Sequence, residues 1–303
     1  MKKLSLLILI ISLFTFAGCS ESQHYRDQVP VKLKLKKTNN ITLNNIDGKE
    51  NALHVAISAM ISPKETFSQY QNLLSYISKK LGRPIELKQR KTYEEINDLL
   101  KSNELDFAFI CSGAYVRAKK EFPIKLLAIP VVNGKSYYQA FIIVNKNSPI
   151  KKFSELRNKS FAFTDPLSNT GYNYVLTLLK KMGETPDKFF SKIIFTYAHD
   201  YSIQAVARGI VDGASVDDLI FNYLKKFYPK RVAQVKIIKK SKPFGIPPFV
   251  YTPNANKQLI AKIKQILLNM NKSKEGKKIL SSLMIDKFIE PDIHLYDSIK
   301  INN

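Results

Sequence analysis

Strand-like and helix-like segments alternate along most of this chain, and this alternation constrains the fold more than any single motif does. Short apolar runs are separated by segments whose apolar residues repeat at i, i+3, i+4 and i+7. Strands and helices at this spacing are typical of βαβ units, in which helices cover both faces of a mostly parallel sheet. The 303 residues are 45% hydrophobic, enough for a large core. We therefore predict an α/β fold.

The alternation occurs in two halves, which predicts two lobes around a ligand cleft. Segment 235–250 turns strand-like again, carries Pro243, Pro247 and Pro248, and precedes two amphipathic helices that could pack on the first half. We predict lobe 1 from residues 51–145 plus 246–303 and lobe 2 from residues 146–245. A two-strand hinge would join them, near residues 145–149 and 236–245.

The N-terminal residues predict an export signal. Lys2 and Lys3 precede an apolar run over residues 4–16, which is too short for a span of roughly 20 residues. Gly18 directly before Cys19 resembles the bacterial lipoprotein signal. We predict a signal peptide over residues 1–18, a lipid on Cys19 and a flexible tether over residues 19–50. The protein would be anchored in the cell envelope, facing the periplasm or the exterior, and simple secretion is the alternative.

The net charge of +23 raises the alternative of nucleic-acid binding, which the sequence does not favour. The Lys residues are spread through every segment, Arg is sparse beside Lys, and there is no Trp. No nucleic-acid recognition motif occurs, and an export signal directs the protein elsewhere. The charge more simply indicates a Lys-rich surface that attracts small anions or anionic lipid headgroups.

Polar or small residues follow the predicted strands, and these positions predict one shared binding site. They are residues 58–62, 111–115 and 165–171, with His199 and Asp217. Ligands of open α/β sheets bind outside the carboxyl ends of the strands. In the loop 165–171, Ser168, Asn169, Thr170 and Gly171 precede a predicted helix. Unpaired N–H groups and the helix dipole favour an anion there, although a plain helix cap is the alternative.

With these residues in view, the chain resembles the substrate-binding proteins of phosphonate, phosphite and phosphate ABC transporters, a type II periplasmic binding protein family. The likeness covers roughly residues 52–250 and includes the segments 105–109 (LDFAF), 165–171 (DPLSNTG) and 211–214 (VDGA). The resemblance implies that a small oxyanion is held by hydroxyls and backbone amides of the loop. It further implies the ligand-binding residues Ser168, Thr170, Gly171, His199 and Asp217, with Tyr138 and Tyr93 as walls. Asn169 replaces a hydroxyl residue of the family.

A second departure from the family concerns Cys111, Ser112 and Gly113, which stand where the transporter proteins typically have Gly-Pro. The related arsenite-sensing binding proteins carry a cysteine in such a place. A thiol near a helix N-terminus can have a lowered pKa and bind a soft centre such as trivalent arsenic. We therefore add Cys111 and Ser112 to the candidate ligand-binding residues. The alternative for Cys111 is a buried, inert thiol.

The sequence does not favour an enzyme. It has no P-loop, no HExxH, no CxxC and no Gly-x-Ser-x-Gly elbow, and only a chance Cys111–His199 pair suggests a nucleophile. We expect no cofactor and no metal apart from arsenic on Cys111. The expected function is a lipid-anchored protein that captures a small oxyanion and delivers it to an ABC permease. The alternative is an oxyanion sensor that presents its ligand to a histidine kinase.

Overall fold

The computed structural model describes residues 52–301, so the predicted signal peptide, the predicted lipid on Cys19 and the predicted tether all lie outside it. The strands are β1 (Leu53–Ile57), β2 (Ile85–Lys88), β3 (Phe107–Phe109), β4 (Lys125–Val131), β5 (Tyr137–Tyr138), β6 (Ala140–Asn145), β7 (Ser160–Phe163), β8 (Lys192–Phe195), β9 (Gly213–Asp217), β10 (Val235–Lys240), β11 (Phe244–Gly245), β12 (Phe249–Tyr251) and β13 (Lys287–Ile289). The helices are α1 (Pro63–Leu81), α2 (Tyr93–Lys101), α3 (Ser112–Glu121), α4 (Tyr174–Lys181), α5 (Pro186–Phe189), α6 (His199–Ala207), α7 (Asp218–Phe227), α8 (Pro229–Val232), α9 (Lys257–Asn269) and α10 (Lys274–Ser282).

Two larger sheets organise these elements. The six-stranded sheet has the order β13-β4-β12-β3-β1-β2, and β1 runs parallel to both β2 and β3. The five-stranded sheet has the order β10-β6-β9-β7-β8, and β7 runs parallel to both β8 and β9. Strands β4, β12 and β13 in the first sheet and β6 and β10 in the second are joined antiparallel. The predicted α/β architecture is confirmed, with three parallel strands at one end of each sheet and antiparallel strands at the other.

The chain passes between the two sheets twice. It leaves the six-stranded sheet after β4, enters the five-stranded sheet at β6, and returns between β10 and β12. Strands β5 and β11 lie in these two passages and pair with each other antiparallel. Two connections between the sheets agree with the predicted two-strand connection of the lobes. Residues 236–240 of the predicted second hinge lie in β10, inside the five-stranded sheet, and only residues 241–245 lie in the passage that contains β11.

The first hinge was predicted too far along the chain. Residues 145–149 follow β6, which already pairs with β9 and β10 inside the five-stranded sheet. For the same reason residues 140–145, which the predicted lobe 1 contained, lie in the sheet of lobe 2. The physical cause is the run Ala140 to Val144, which is buried throughout and fills a central position in that sheet.

Local signals explain where the well-predicted helices begin and end. Pro63 starts α1, and Gly82 ends it with a left-handed φ of 67°. Thr92 and Glu95 form a reciprocal capping box at the start of α2. Helix α1 buries Leu73, Leu74 and Ile77 against the six-stranded sheet. Within residues 52–301, no helix combines the length and the apolar character that a membrane span requires.

Candidate ligand-binding site

Most of the predicted site residues lie at the starts of helices. Each helix start offers backbone N–H groups without an intrahelical partner and the positive end of a dipole. These residues are Tyr93 at the start of α2, Cys111 and Ser112 at α3, Ser168 and residues 169–171 before α4, His199 at α6, and Asp217 at α7. Tyr138 lies in the hinge strand β5. Because these helices follow parallel strands, the residues lie at the carboxyl ends of the strands in both sheets.

Contacts across the cleft bring the two lobes together at this set. The backbone N–H of Tyr93 donates to the Asp165 carboxylate at 3.0 Å, and the backbone N–H of His199 donates to the Met60 carbonyl at 3.0 Å. A Cβ added to Gly113 would lie 2.3 Å from the Leu167 carbonyl oxygen. Helix α3 thus approaches the loop 165–171, which we call the hydroxyl loop, at a distance that only glycine permits. The described conformation is a closed cleft.

Within the hydroxyl loop, Ser168 and Thr170 have different roles. Ser168 Oγ accepts the Gly171 N–H at 2.9 Å, so it caps the single π-helical turn Asn169–Asn173 that leads into α4. The Ser168 oxygen therefore acts as a helix cap, as the alternative interpretation predicted. The Ser168 O–H can still donate a hydrogen bond to a ligand. The Thr170 Oγ1 and Asn169 Nδ2 atoms are buried and have no hydrogen-bond partner among the described residues. These two atoms are available to a ligand.

His199 is a neutral donor in this site. Its Nδ1 accepts the backbone N–H of Asp217 at 3.2 Å, which assigns the ring proton to Nε2. Nε2 lies 3.4 Å from the Asp217 carboxylate but is not aligned to form a hydrogen bond with it. Burial lowers the pKa of His199 to about 3. The side chain can therefore offer one N–H to an oxyanion without carrying charge near neutral pH.

The carboxyl groups of the site are hard to ionise. Burial raises the pKa of Asp217 to about 7, and its Oδ1 accepts the Ile220 N–H at 2.7 Å. Burial likewise raises the pKa of Asp218 to about 6, where the carboxylate accepts the Gln139 N–H at 2.9 Å. Asp165 also has a pKa raised by burial to about 6. A protonated Asp217 next to a bound oxyanion would act as a donor rather than as a repelling charge.

Tyr138, Ser112 and Cys111 form a buried wall. The Ser112 and Tyr138 hydroxyls form a hydrogen bond at 2.6 Å. Cys111 is a free, buried cysteine with backbone N–H groups of Asn169 and Gly113 against its sulfur. Burial outweighs those N–H groups and raises the pKa of the thiol. The expectation of a lowered pKa was wrong, because the helix start that favours a thiolate is closed off from water.

Unpaired buried atoms mark the site most clearly. Buried polar side chains are almost always hydrogen-bonded, and each exception costs free energy. Among the described residues, the exceptions are concentrated in the predicted set and in the loop after β1. Five of them are Ser58 Oγ, Tyr93 Oη, Asn169 Nδ2, Thr170 Oγ1 and His199 Nε2. We call these five residues, together with Asp217, the cup. The other two, Gln69 Nε2 and Asn97 Oδ1, lie outside the cup.

Ser58 was not among the predicted ligand-binding residues, although residues 58–62 were recognised as a polar loop after a strand. Its backbone N–H donates to the Phe109 carbonyl at 2.9 Å, which places it beside the strand end that leads to Cys111. Burial, followed by the nearby Cys111, Asp165 and Asp217, raises the pKa of Tyr93 well above its ordinary value. The Tyr93 hydroxyl is buried and has no hydrogen-bond partner among the described residues.

Comparison with known proteins identifies the family to which this architecture belongs. Residues 55–296 match the family described as ABC transporter, phosphonate, periplasmic substrate-binding protein. The chain belongs to this family. The resemblance inferred from the loop 165–171, His199 and the segment 211–214 is confirmed.

Individual relatives agree with this assignment. The chain is 25% identical over 240 residues to the phosphonates-binding periplasmic protein of Escherichia coli (strain K12), covering 78% of this chain and 71% of that protein. A binding protein component of an ABC phosphonate transporter from Pseudomonas aeruginosa has a similar fold, with a TM-score of 0.76, 23% identity, and 81% and 83% of the two chains covered. PhnD1 of Prochlorococcus marinus, solved in complex with methylphosphonate, has a TM-score of 0.74 and 19% identity, with 82% and 96% covered.

Proposed function

We propose that this protein captures a phosphonate-class oxyanion in the cup and delivers it to an ABC permease. The observation that carries the proposal is the group of buried side-chain atoms in the cup that have no partner among the described residues. A tetrahedral oxyanion presents several acceptor oxygens, and all five of these side chains, Ser58, Tyr93, Asn169, Thr170 and His199, can donate to it. Membership of the phosphonate-binding family and a structural neighbour that holds methylphosphonate agree with this ligand class.

The proposed ligand is held by neutral donors. The Thr170 hydroxyl, the Asn169 amide, the ring Nε2–H of His199 and the Tyr93 hydroxyl would each donate to oxygens of the phosphonyl group. In a buried site such dipoles stabilise an anion without the desolvation cost of a second full charge. A protonated Asp217 would add a further donor, whereas an ionised Asp217 would suit an ammonium group on the ligand.

Binding and lobe closure are coupled in this proposal. The donors come from both lobes, since Tyr93 belongs to the six-stranded side and Thr170 and His199 to the five-stranded side. A ligand that bonds both sets favours the closed cleft, with the β5–β11 pair as the hinge. The closed form would then dock on the permease. The division into lobe 1 and lobe 2 is proposed on the same basis, with the boundaries moved to the hinge passages.

Anchoring through Cys19 is a separate part of the proposal. Its support is the sequence of residues 1–19, in which a basic start and an apolar run end in Ala17, Gly18 and Cys19. Intact mass measurement of the protein from the membrane fraction tests it. We expect a mass increase corresponding to a lipid, and release of a Cys19→Ser variant from the membrane. An unmodified, soluble wild-type protein would contradict the anchor.

Calorimetric titration of the purified full chain tests the ligand class. We expect methylphosphonate and 2-aminoethylphosphonate to bind more tightly than phosphite or phosphate. No binding of any of the four would refute the proposal. Arsenite, tested on wild type and on Cys111→Ser, addresses the sensor alternative. Arsenite binding that is lost in Cys111→Ser, without binding of any phosphonate, would replace transport by sensing.

A further inference from the structure

Two carboxyl groups on the five-stranded side accept backbone N–H groups from the six-stranded side across the cleft. Asp165 Oδ2 accepts the backbone N–H of Tyr93 at 3.0 Å, and Asp200 Oδ1 accepts the backbone N–H of Ser62 at 2.9 Å. Tyr93 is the first residue of α2, and Ser62 is the N-cap residue of α1. We call Asp165 and Asp200 the bridging carboxyl groups. Neither residue belongs to the cup.

Asp165 connects the hydroxyl loop to the start of α2. It is the first residue of that loop, which carries the cup residues Asn169 and Thr170. Its Oδ1 accepts the backbone N–H of Leu167 at 2.8 Å, while its Oδ2 accepts the backbone N–H of Tyr93. One carboxyl group therefore bonds to the hydroxyl loop of one lobe and to a cup residue of the other.

Asp200 makes the corresponding connection on the other side of the cup. It directly follows His199 at the start of α6. The backbone N–H of His199 donates to the Met60 carbonyl at 3.0 Å, and the backbone N–H of Ser62 donates to Asp200. These two hydrogen bonds hold the loop after β1, which begins with the cup residue Ser58. Asp200 thus fixes that loop opposite the His199 ring.

Both bridging carboxyl groups are buried in the closed cleft. Asp165 and Asp200 are each 1% exposed. Burial raises the pKa of Asp165 to about 6 and also raises the pKa of Asp200. Glu94 and Glu95 raise the pKa of Asp165 further, whereas Arg231 lowers that of Asp200. Opening the cleft would return the carboxyl groups and their N–H donors to water, so these hydrogen bonds belong to the closed arrangement alone.

We propose that Asp165 and Asp200 are positioning residues for ligand binding, which align the two halves of the cup by accepting backbone N–H groups across the closing cleft. They need not contact the ligand. This inference rests on the proposed function, because it requires the ligand to bind in the cup. It adds that the time a ligand stays bound depends on two hydrogen bonds that the ligand does not make.

Asp165→Ala and Asp200→Ala in the purified full chain test this role. Calorimetric titration measures methylphosphonate affinity, and stopped-flow tyrosine fluorescence measures the rate constants of association and dissociation. We expect each variant to lower the affinity by about fivefold or more, because closure then buries an unpaired N–H group. The loss should lie in faster dissociation, with association within about twofold of wild type, since the ligand enters the open cleft before closure.

Two matched controls remove the same kind of contact inside a single sheet. Asp106 accepts the backbone N–H of His54 at 2.8 Å on the six-stranded side. Asp212 accepts the backbone N–H of Ser160 at 2.8 Å on the five-stranded side. Asp106→Ala and Asp212→Ala should lower the thermal stability, because each removes a hydrogen bond. They should leave the affinity and both rate constants within about twofold of wild type, since neither contact crosses the cleft.

A conservative variant and a change of salt separate the hydrogen bond from charge. Asp200→Asn keeps an oxygen that can accept the Ser62 N–H, so it should restore the affinity that Asp200→Ala loses. The loss in Asp200→Ala should persist in about 1 M salt, because buried contacts are screened little. A loss that disappears at high salt would contradict the proposal, since the cause would then be the charge of Asp200 near Arg231.

The outcomes distinguish the positioning role from the proposed function. If the wild-type protein binds methylphosphonate and the Asp165→Ala and Asp200→Ala variants release it no faster, the positioning role is refuted and the proposed function stands. The positioning role is also refuted if Asp106→Ala and Asp212→Ala accelerate dissociation equally. If the wild-type protein binds no phosphonate, the proposed function fails and the positioning role fails with it.

Discussion

Replacing Asp217 by Asn should stabilise the unliganded protein at alkaline pH. The folded state holds the Asp217 proton up to a pKa of about 7, whereas the unfolded chain releases it near the ordinary value of 3.8. The unfolded state therefore binds fewer protons between these pH values, and the free energy of unfolding falls as the pH rises through them. At about 1.4 kcal/mol per pH unit, the total cost above pH 7 is about 4 kcal/mol.

Asn removes this cost and keeps the helix cap. The Asp217 Oδ1 atom accepts the Ile220 N–H at the start of α7, and Asn caps helices as well as Asp does. We expect Asp217→Asn to raise the free energy of unfolding at pH 8 by up to about 4 kcal/mol, and to change it little near pH 4. The same residue is thus costly for stability and useful for binding.

Urea unfolding of the full chain without ligand, at several pH values from 4.5 to 8, measures this difference. Asp98→Asn is the matched control, because Asp98 is exposed on α2, and it should show no such pH-dependent gain. An Asp217→Asn variant that is no more stable than wild type at pH 8 would refute the argument. A gain of equal size at pH 4.5 and pH 8 would refute it too, because the cause would then not be ionisation.

Three further predictions concern closure and pH. Gly113→Ala should lower methylphosphonate affinity tenfold or more in calorimetric titration, because the added Cβ meets the Leu167 carbonyl across the closed cleft, and unchanged affinity would contradict a closed bound state. Arg231→Ala removes an ion pair with Glu65, whose atoms lie 3.0 Å apart across the cleft, and should weaken binding by less than about fivefold, an effect that disappears in high salt. Methylphosphonate affinity should fall as the pH rises through about 7, because Asp217 ionises beside the anion; an Asp217→Asn variant with the same fall would exclude this cause.

Much of the fold followed from local sequence signals. In the sequence, the apolar repeat of Ile96, Leu99 and Leu100 predicts a short helix over residues 93–101, and the structure has α2 over the same residues. The loop 165–171, His199 and Asp217 were predicted by position at strand ends, where the topology of parallel sheets brings distant loops together. Tyr93 and Tyr138 were added from the resemblance to the family. Tyr93, Asn169, Thr170 and His199 were all named from the sequence, and each has an unpaired buried atom.

Other features depend on partners that are distant in sequence. Strands β12 and β13 have three residues each and are defined by antiparallel pairing with β4, so no local pattern marks them. Residues 111–115 were predicted only as a polar segment after a strand, whereas Ser112 begins α3; Gly113 and a run of polar residues weaken the apolar periodicity of this helix. In the sequence, Phe67 shares the apolar face of the first helix with Leu74 and Ile77, which predicts burial, but its side chain is 55% exposed.

The Thr170 hydroxyl offers the most direct test of the central claim that the cup binds a phosphonate. Thr170→Val keeps the shape of the side chain and removes a buried hydroxyl that has no partner among the described residues. Calorimetric titration with methylphosphonate should show at least a tenfold loss of affinity, since a buried hydrogen bond to a charged group is worth about 1.5–3 kcal/mol. Thr177→Val, a change of the same kind within α4, should bind like wild type. If Thr170→Val also binds like wild type, the ligand does not occupy the cup.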